Sequence, residues 1–141
     1  MKRRHLLLCT VVLTAGCANL FFDNLERMRE DNKKNIAQLS VGMTRVELER
    51  VMGNGVAGGT LGDIVFGRLQ HLRASNPMRE ERVSGPDGAS YLVLFYYTDL
   101  RQRDDKITDD ELTPVVLRDE KIAGIGYGYL GERAAKYSGL R

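Results

Sequence analysis

The feature that most constrains the fold is an unbroken run of apolar and aromatic residues from Tyr91 to Tyr97. A strand with one solvated face alternates apolar and polar residues, but this run is apolar at both sets of alternating positions. The turn-forming cluster from Ser84 to Ala89 precedes it and bounds it as a strand. If helices cover only one face of the sheet, an aromatic row is exposed and suits a binding surface. The alternative is that a third helix or the C-terminal tail covers this row.

The segment before this strand predicts helices. A thin apolar stripe indicates a first helix from Asn24 to Leu39. Thr44 and Glu47 form a capping-box pair ahead of a short helix that Gly53 ends. Residues 60–72 carry a helical apolar pattern that glycines weaken, and we favour a third helix there.

Three further strands complete the predicted sheet: Met78–Val83, Pro114–Leu117 and Ile122–Tyr129. Short turns between consecutive strands favour an antiparallel meander. The predicted fold is α+β and two-layered, with two or three N-terminal helices on one face of a three- to four-stranded antiparallel sheet. Residues 131–141 are predicted to be a frayed C-terminal tail.

The N-terminus has the pattern of a cleavable signal. A basic start is followed by the apolar stretch Leu6–Leu13 and by Ala15, Gly16 and Cys17. The apolar stretch is about half of the roughly 20 residues that a membrane-spanning helix needs. The segment resembles the lipobox of bacterial lipoproteins, although Thr14 stands where leucine is commoner. The alternative is an ordinary secretory signal with an incidental cysteine.

The lipobox resemblance implies cleavage between Gly16 and Cys17 and a covalent lipid, including palmitate, on Cys17. We therefore divide the chain into a signal peptide (1–16), a lipidated tether (17–24), a periplasmic domain (25–130) and the tail (131–141). Ala18 follows the cysteine, where aspartate retains lipoproteins in the inner membrane of enteric-type bacteria. Its absence implies the outer membrane, with the domain facing the periplasm.

Removing the signal changes what the composition means. The signal carries three positive charges and no negative one, so the net charge of +2 becomes −1 in the remaining 125 residues. Bulk charge therefore gives no argument for nucleic acid as a partner. Cys9 leaves with the signal and Cys17 takes the lipid, which leaves no disulfide. With His71 as the sole remaining histidine, a zinc site is not expected, and no cofactor is predicted beyond the lipid.

A second resemblance rests on motifs in the first half of the domain. The run Leu39–Thr44, followed by Val46-Glu47 and Met52-Gly53, resembles the signature of small envelope lipoproteins of the SmpA/OmlA, or BamE-like, class. Part of this signature is helix-start chemistry. The resemblance implies an accessory role in outer-membrane assembly or integrity, a helix-and-sheet fold and no active site.

The second half is similar to a related family of small lipoproteins of unknown function. The similarity lies in Tyr91–Tyr97, Thr113–Val116 and Lys121–Gly124. Leu112 stands where that family often has cysteine, which argues against a role for a thiol. Together the two resemblances cover roughly residues 30–130.

Other motifs weigh little as catalytic or binding sites. Gly126 to Gly131 matches the spacing of a dinucleotide fingerprint but lacks the required βαβ context, so no nucleotide is expected. Its glycines more simply allow close packing over a strand. The acids from Asp104 to Glu111 lack the alternation and glycine of a calcium loop. His71 has no catalytic companions.

The sequence thus predicts a non-enzymatic outer-membrane lipoprotein that acts by protein–protein interaction in the envelope. Its partners are the membrane, through the lipid, and envelope proteins. The predicted partner-binding face comprises Tyr97, Tyr127 and Tyr129. The alternative is a periplasmic ligand-binding or hydrolase-inhibitor module that uses the same exposed sheet face.

Overall fold

A computed structural model describes residues 24–57, 74–85, 88–102 and 106–134, with side chains of the last stretch described up to Leu130. The helices are α1 (24–36), α2 (Arg45–Met52) and α3 (Gly126–Ala134). The strands are β1 (Val56–Ala57), β2 (Ala74–Ser75), β3 (Arg79–Ser84), β4 (Ser90–Tyr97), β5 (Leu112–Arg118) and β6 (Lys121–Ile125). The predicted α+β class, with helices ahead of the strands, is confirmed.

The main sheet is an antiparallel meander in the order β3-β4-β5-β6, as the short turns predict. The apolar run Tyr91–Tyr97 forms β4, which has a neighbour on each side. β1 and β2 pair separately as a two-residue antiparallel ribbon. The Asn76–Pro77 peptide bond, which is cis, lies between β2 and β3.

The segment around Gly42 closes the β6 edge of the sheet. Gly42 N donates to Ile122 O, and Ile122 N donates to Met43 O, both at 2.8 Å. Gly42 has a φ of 94°, which disfavours any residue with a Cβ. The predicted capping box is confirmed, since Glu47 N donates to Thr44 Oγ1 and Thr44 N donates to Glu47 Oε2. The glycine-methionine-threonine motif therefore has a structural role in the fold.

Apolar clusters cover both faces of the sheet. The cluster on the Tyr91 side contains Tyr91, Val93, Phe95 and Tyr97 of β4, with Leu25 of α1, Leu130 of α3 and residues of β5. The cluster on the Leu92 side contains Leu92, Leu94 and Tyr96, with Leu39 after α1 and Leu48 and Met52 of α2. β4 is apolar on both sides because each side is buried. The aromatic row is covered, but by Leu25 of α1 and Leu130 of α3; the third helix that the alternative named lies outside the described residues.

The C-terminal part of the prediction was wrong. β6 ends at Ile125 instead of Tyr129, and Gly126, with a φ of 83°, begins α3. Of the tail predicted over residues 131–141, residues 131–134 are helical, and residues 135–141 lie outside the described residues. The three glycines of this segment disfavour a helix, and packing of α3 on β5 and β6 overrides that propensity.

The first helix ends earlier than predicted. α1 ends at residue 36 and is followed by a turn that places Leu39 in the core. Its N-terminal half also packs, through Leu25 and Met28, which the thin apolar stripe did not indicate. The helix predicted over residues 60–72 lies outside the described residues.

The turn between β5 and β6 predicts a stabilising substitution. Asp119 and Glu120 have φ values of 50° and 59°, in the left-handed region that costs a non-glycine residue about 1–2 kcal/mol. After allowing for the added flexibility of the unfolded chain, Glu120→Gly is expected to raise the free energy of unfolding by about 1 kcal/mol. Urea denaturation measures this, and Glu120→Ala, which keeps a Cβ, is the control. Equal gains from both variants would contradict the backbone explanation.

Candidate functional site: a cleft beside the first helix

The predicted aromatic binding face does not exist as one surface. Tyr97 lies at the end of β4 and is 3% exposed within the Tyr91-side cluster. Burial raises the pKa of its hydroxyl, with the nearby Glu111 carboxylate as a second cause. Tyr97 is a core residue and is not available to a partner.

The other two tyrosines lie on α3 instead of a strand, and they serve different purposes. Tyr129 packs its ring directly over Gly124 of β6, so the close packing expected of this glycine-rich segment is present. Tyr127 is 43% exposed, and its hydroxyl donates to Asp109 O at 2.7 Å. Partial burial and the Asp109 carboxylate raise the pKa of this hydroxyl. Tyr127 is the one member of the predicted face that solvent reaches to a large extent.

The lipidation and cleavage residues Cys17 and Gly16 lie outside the described residues, as does His71. Among the helices that are described, none has the length and apolarity to cross a membrane. The membrane attachment therefore stays a prediction from the signal pattern.

The acidic loop is organised by one buried carboxylate. Glu111 is 2% exposed, and its Oε1 accepts from Arg101 N at 2.6 Å and from Gln102 N at 3.3 Å. Its Oε2 accepts from Thr108 N at 3.0 Å. Asp109 and Asp110 stay exposed. Glu111 thus holds the two ends of the loop together, and within the described residues no three acidic, histidine or cysteine side chains group as metal ligands.

An open cleft of about 620 Å³ lies between α1 and the end of α2. One wall is the face of α1 that runs from Asn24 to Asn35. The opposite wall runs from Arg50 to Gly53, and Gly55–Ala57 with Asn76 complete the lining. This volume lies within the roughly 300–1,000 Å³ typical of ligand sites.

Two asparagines close the deep end of the cleft. Asn32 Nδ2 donates to Asn76 Oδ1 at 2.9 Å, and Asn76 Nδ2 donates to Asn32 Oδ1 at 2.7 Å. The same two amides also donate to backbone carbonyls, Asn32 to Tyr97 O and Asn76 to Met52 O. The pair links α1, the end of α2 and β4, so it fixes the position of both walls.

Sequence reasoning missed this pair. Asn32 sits in the polar run from Asp31 to Asn35, which predicts a solvent-facing helix surface, yet its exposure is 1%. The one signal in the sequence was the combination of a thin apolar stripe with a wholly polar run. A helix with few apolar residues can pack through a polar side chain, provided that the buried side chain is hydrogen-bonded. Asn76 precedes a proline, so the sequence predicts a turn there and gives no sign of the contact with Asn32.

The rim of the cleft carries charge of both signs. Arg27 and Asp31 lie on α1 and Arg50 lies on α2, and all three are exposed. Apolar side chains also line the cleft: Met28, Val51, Met52, Val56 and Ala57. The site thus combines an apolar base, amide groups and a small excess of positive charge, which suits binding.

Comparison with known proteins gives a family match without a function. Residues 74–131 match the model of a family described as a protein of unknown function (DUF3192). The match spans β2 to the middle of α3 and includes the four-stranded sheet, but of the described residues that line the cleft it includes only Asn76. No curated protein and no solved structure matches the chain. The resemblance to the SmpA/OmlA class stays a prediction.

Proposed function

We propose that this protein is a lipid-anchored, non-enzymatic lipoprotein of the outer membrane that binds other envelope proteins from the periplasmic side. A role in outer-membrane assembly or integrity follows from the SmpA/OmlA resemblance. The proposed anchor is the covalent lipid on Cys17. Two or more acyl chains hold a protein stably at a membrane, whereas one chain does so only marginally.

One observation carries the proposal: the cleft begins at Asn24, and only six residues, 18–23, separate Asn24 from the predicted lipidation site Cys17. A trans backbone spans at most about 3.6 Å per residue, so Asn24 lies within about 25 Å of Cys17 in any conformation of the tether. An anchored chain therefore keeps the cleft close to the membrane surface. A partner that reaches the cleft is expected to be membrane-embedded or membrane-bound.

The alternative is a ligand-binding or inhibitor module, and it requires an exposed sheet face. Both sides of β4 are covered, so that face is not exposed. Side chains of α1 and α3 cover one side of β4, and those of α2 cover the other. The cleft is the more suitable place for recognition, since it is open and combines apolar and polar groups.

Substituting the lipidated cysteine tests the anchor. Cys17→Ala is expected to abolish incorporation of labelled palmitate and to remove the chain from detergent-extracted membrane lipoproteins, because the sulfur is the acceptor. Cys9→Ala, which changes the other cysteine within the predicted signal, is the matched control and is expected to label normally. Unchanged labelling of Cys17→Ala would contradict the proposal.

The interaction part is tested separately by cross-linking in intact cells, followed by recovery of the anchored protein from membranes. We expect defined envelope proteins with the native chain and none with Cys17→Ala. Equal recovery from both forms would show that the contacts do not depend on the anchor.

A further inference from the structure

The α1–α2 cleft has a base suited to an aliphatic side chain. Met28 and Val51 are half-buried, and Met52 and Ala57 are buried, so their packing into the core holds this base in place. Methionine side chains adapt to varied apolar partners. Val56 lies at the margin with 63% of its surface exposed. A bound aliphatic group would remove this surface from water.

The walls offer groups that match a peptide backbone. Asn24 and Asn35 both line the cleft from α1. A carboxamide has donors and an acceptor, but Asn35 Oδ1 already accepts from Gln38 Nε2 at 3.2 Å, so Asn35 offers its donors. Asn32 and Asn76 donate to one another and to backbone carbonyls. They therefore shape the cleft, and their hydrogen bonds are made within the protein without a ligand. The wall amides therefore supply the polar contacts that an extended peptide segment requires.

The charged side chains that line the cleft determine which peptides it favours. Among the described lining residues, Arg27 and Arg50 lie on opposite walls and Asp31 is the sole acidic residue. Guanidinium groups bind carboxylates through charge-assisted and often bidentate hydrogen bonds. The remaining domain has a net charge of −1, so the positive excess is a property of the cleft and not of the whole surface.

We propose that the α1–α2 cleft binds a peptide segment in which a carboxylate stands next to an aliphatic side chain, supplied by a membrane-proximal partner. The aliphatic group contacts the base and the carboxylate lies between the two arginines. The identity of the partner as an envelope protein rests on the proposed function, but binding of such a peptide does not.

A direct titration tests the proposal. The protein, purified in detergent micelles, is added to a short fluorescein-labelled peptide of alternating aspartate and leucine, and fluorescence polarisation is followed, with empty micelles as the blank. Saturable binding is expected. Peptides with lysine or with asparagine in place of aspartate are expected to bind at least about tenfold more weakly, because they lose the charge-assisted hydrogen bonds.

Two matched pairs of variants locate the site. Val56→Asp places a negative charge in the cleft and is expected to weaken binding by at least about tenfold through like-charge repulsion. Val46→Asp changes a valine that is equally exposed, at 64% against 63%, but lies outside the cleft, and it should have no effect. Arg27→Gln with Arg50→Gln should weaken binding by a similar factor, whereas Arg82→Gln on the exposed side of β3 should not.

Several results would overturn the proposal: no saturable binding, equal binding of the lysine peptide, or equal effects of Val56→Asp and Val46→Asp. Circular dichroism of each variant confirms that the fold is retained. Partners that are still recovered from membranes with the Val56→Asp chain would overturn the cleft as the binding site and leave the proposed function intact. Absence of palmitate on Cys17 together with normal peptide binding would overturn the proposed function and leave the cleft as the peptide-binding site.

Discussion

Glu111→Ala is expected to lower the free energy of unfolding by about 4 kcal/mol, because it leaves backbone N–H groups without their acceptor. The carboxylate accepts from three such groups, at Arg101, Gln102 and Thr108. These bonds are part-buried, and a hydrogen bond to a charged group contributes about 1.5–3 kcal/mol. The residue is also joined to β4 through its own carbonyl, which accepts from Thr98 N and Asp99 N. Disorder of the loop would therefore reach the end of the central strand.

Two variants separate the carboxylate from its surroundings. Glu111→Gln keeps the size and one acceptor oxygen but turns an amide donor toward backbone N–H groups, so about half of the loss is expected. Asp110→Ala changes the neighbouring acid, which is exposed, accepts from Thr108 Oγ1 at 2.5 Å and reaches Arg101 Nε at 4.0 Å. An exposed pair contributes about 0–1 kcal/mol. Urea denaturation followed by circular dichroism measures all three, and a loss for Asp110→Ala equal to that for Glu111→Ala would refute the special role of Glu111.

The features that the sequence predicts correctly arise from interactions between neighbouring residues or neighbouring segments of the chain. The Thr44–Glu47 capping box involves residues three apart, and the structure contains it. The meander follows from short turns between apolar runs and is likewise confirmed. In the capping box the contacting residues lie three positions apart, and in the meander each strand pairs with the next one along the chain, so the order of the segments contains the information.

The missed features depend on contacts between distant parts of the chain. Asn32 and Asn76 are 44 residues apart, and neither position shows alone that its amide is buried. Glu111 looks like one more acid in a charged stretch, because its backbone partners lie around the loop in space. The alternation of Tyr127 and Tyr129 with Ile125 suggests a strand, yet the positive φ of Gly126 ends it. The candidate cleft was missed for the same reason, since its walls come from α1 and α2.

Gly124→Ala is expected to lower the free energy of unfolding by about 3 kcal/mol, near the upper end for overpacking a core. Gly124 is buried in β6, and a Cβ there would overlap the ring of Tyr129. The ring belongs to α3, which also inserts Leu130 into the Tyr91-side cluster. The methyl group therefore forces either the ring or the whole helix away from the sheet. Thermal or urea unfolding measures the loss.

A double-mutant cycle and a second glycine make this test specific. Tyr129→Ala removes the ring and is expected to cost about 2 kcal/mol, but the added methyl of Gly124→Ala then fills part of the vacated space. The double variant should accordingly be more stable than the two single losses predict, by at least about 1 kcal/mol. Gly128 lies on α3 with open space where its Cβ would be, so Gly128→Ala should raise stability by up to about 1 kcal/mol through helix propensity. Strictly additive losses in the cycle would mean that the ring of Tyr129 is not what requires glycine at position 124.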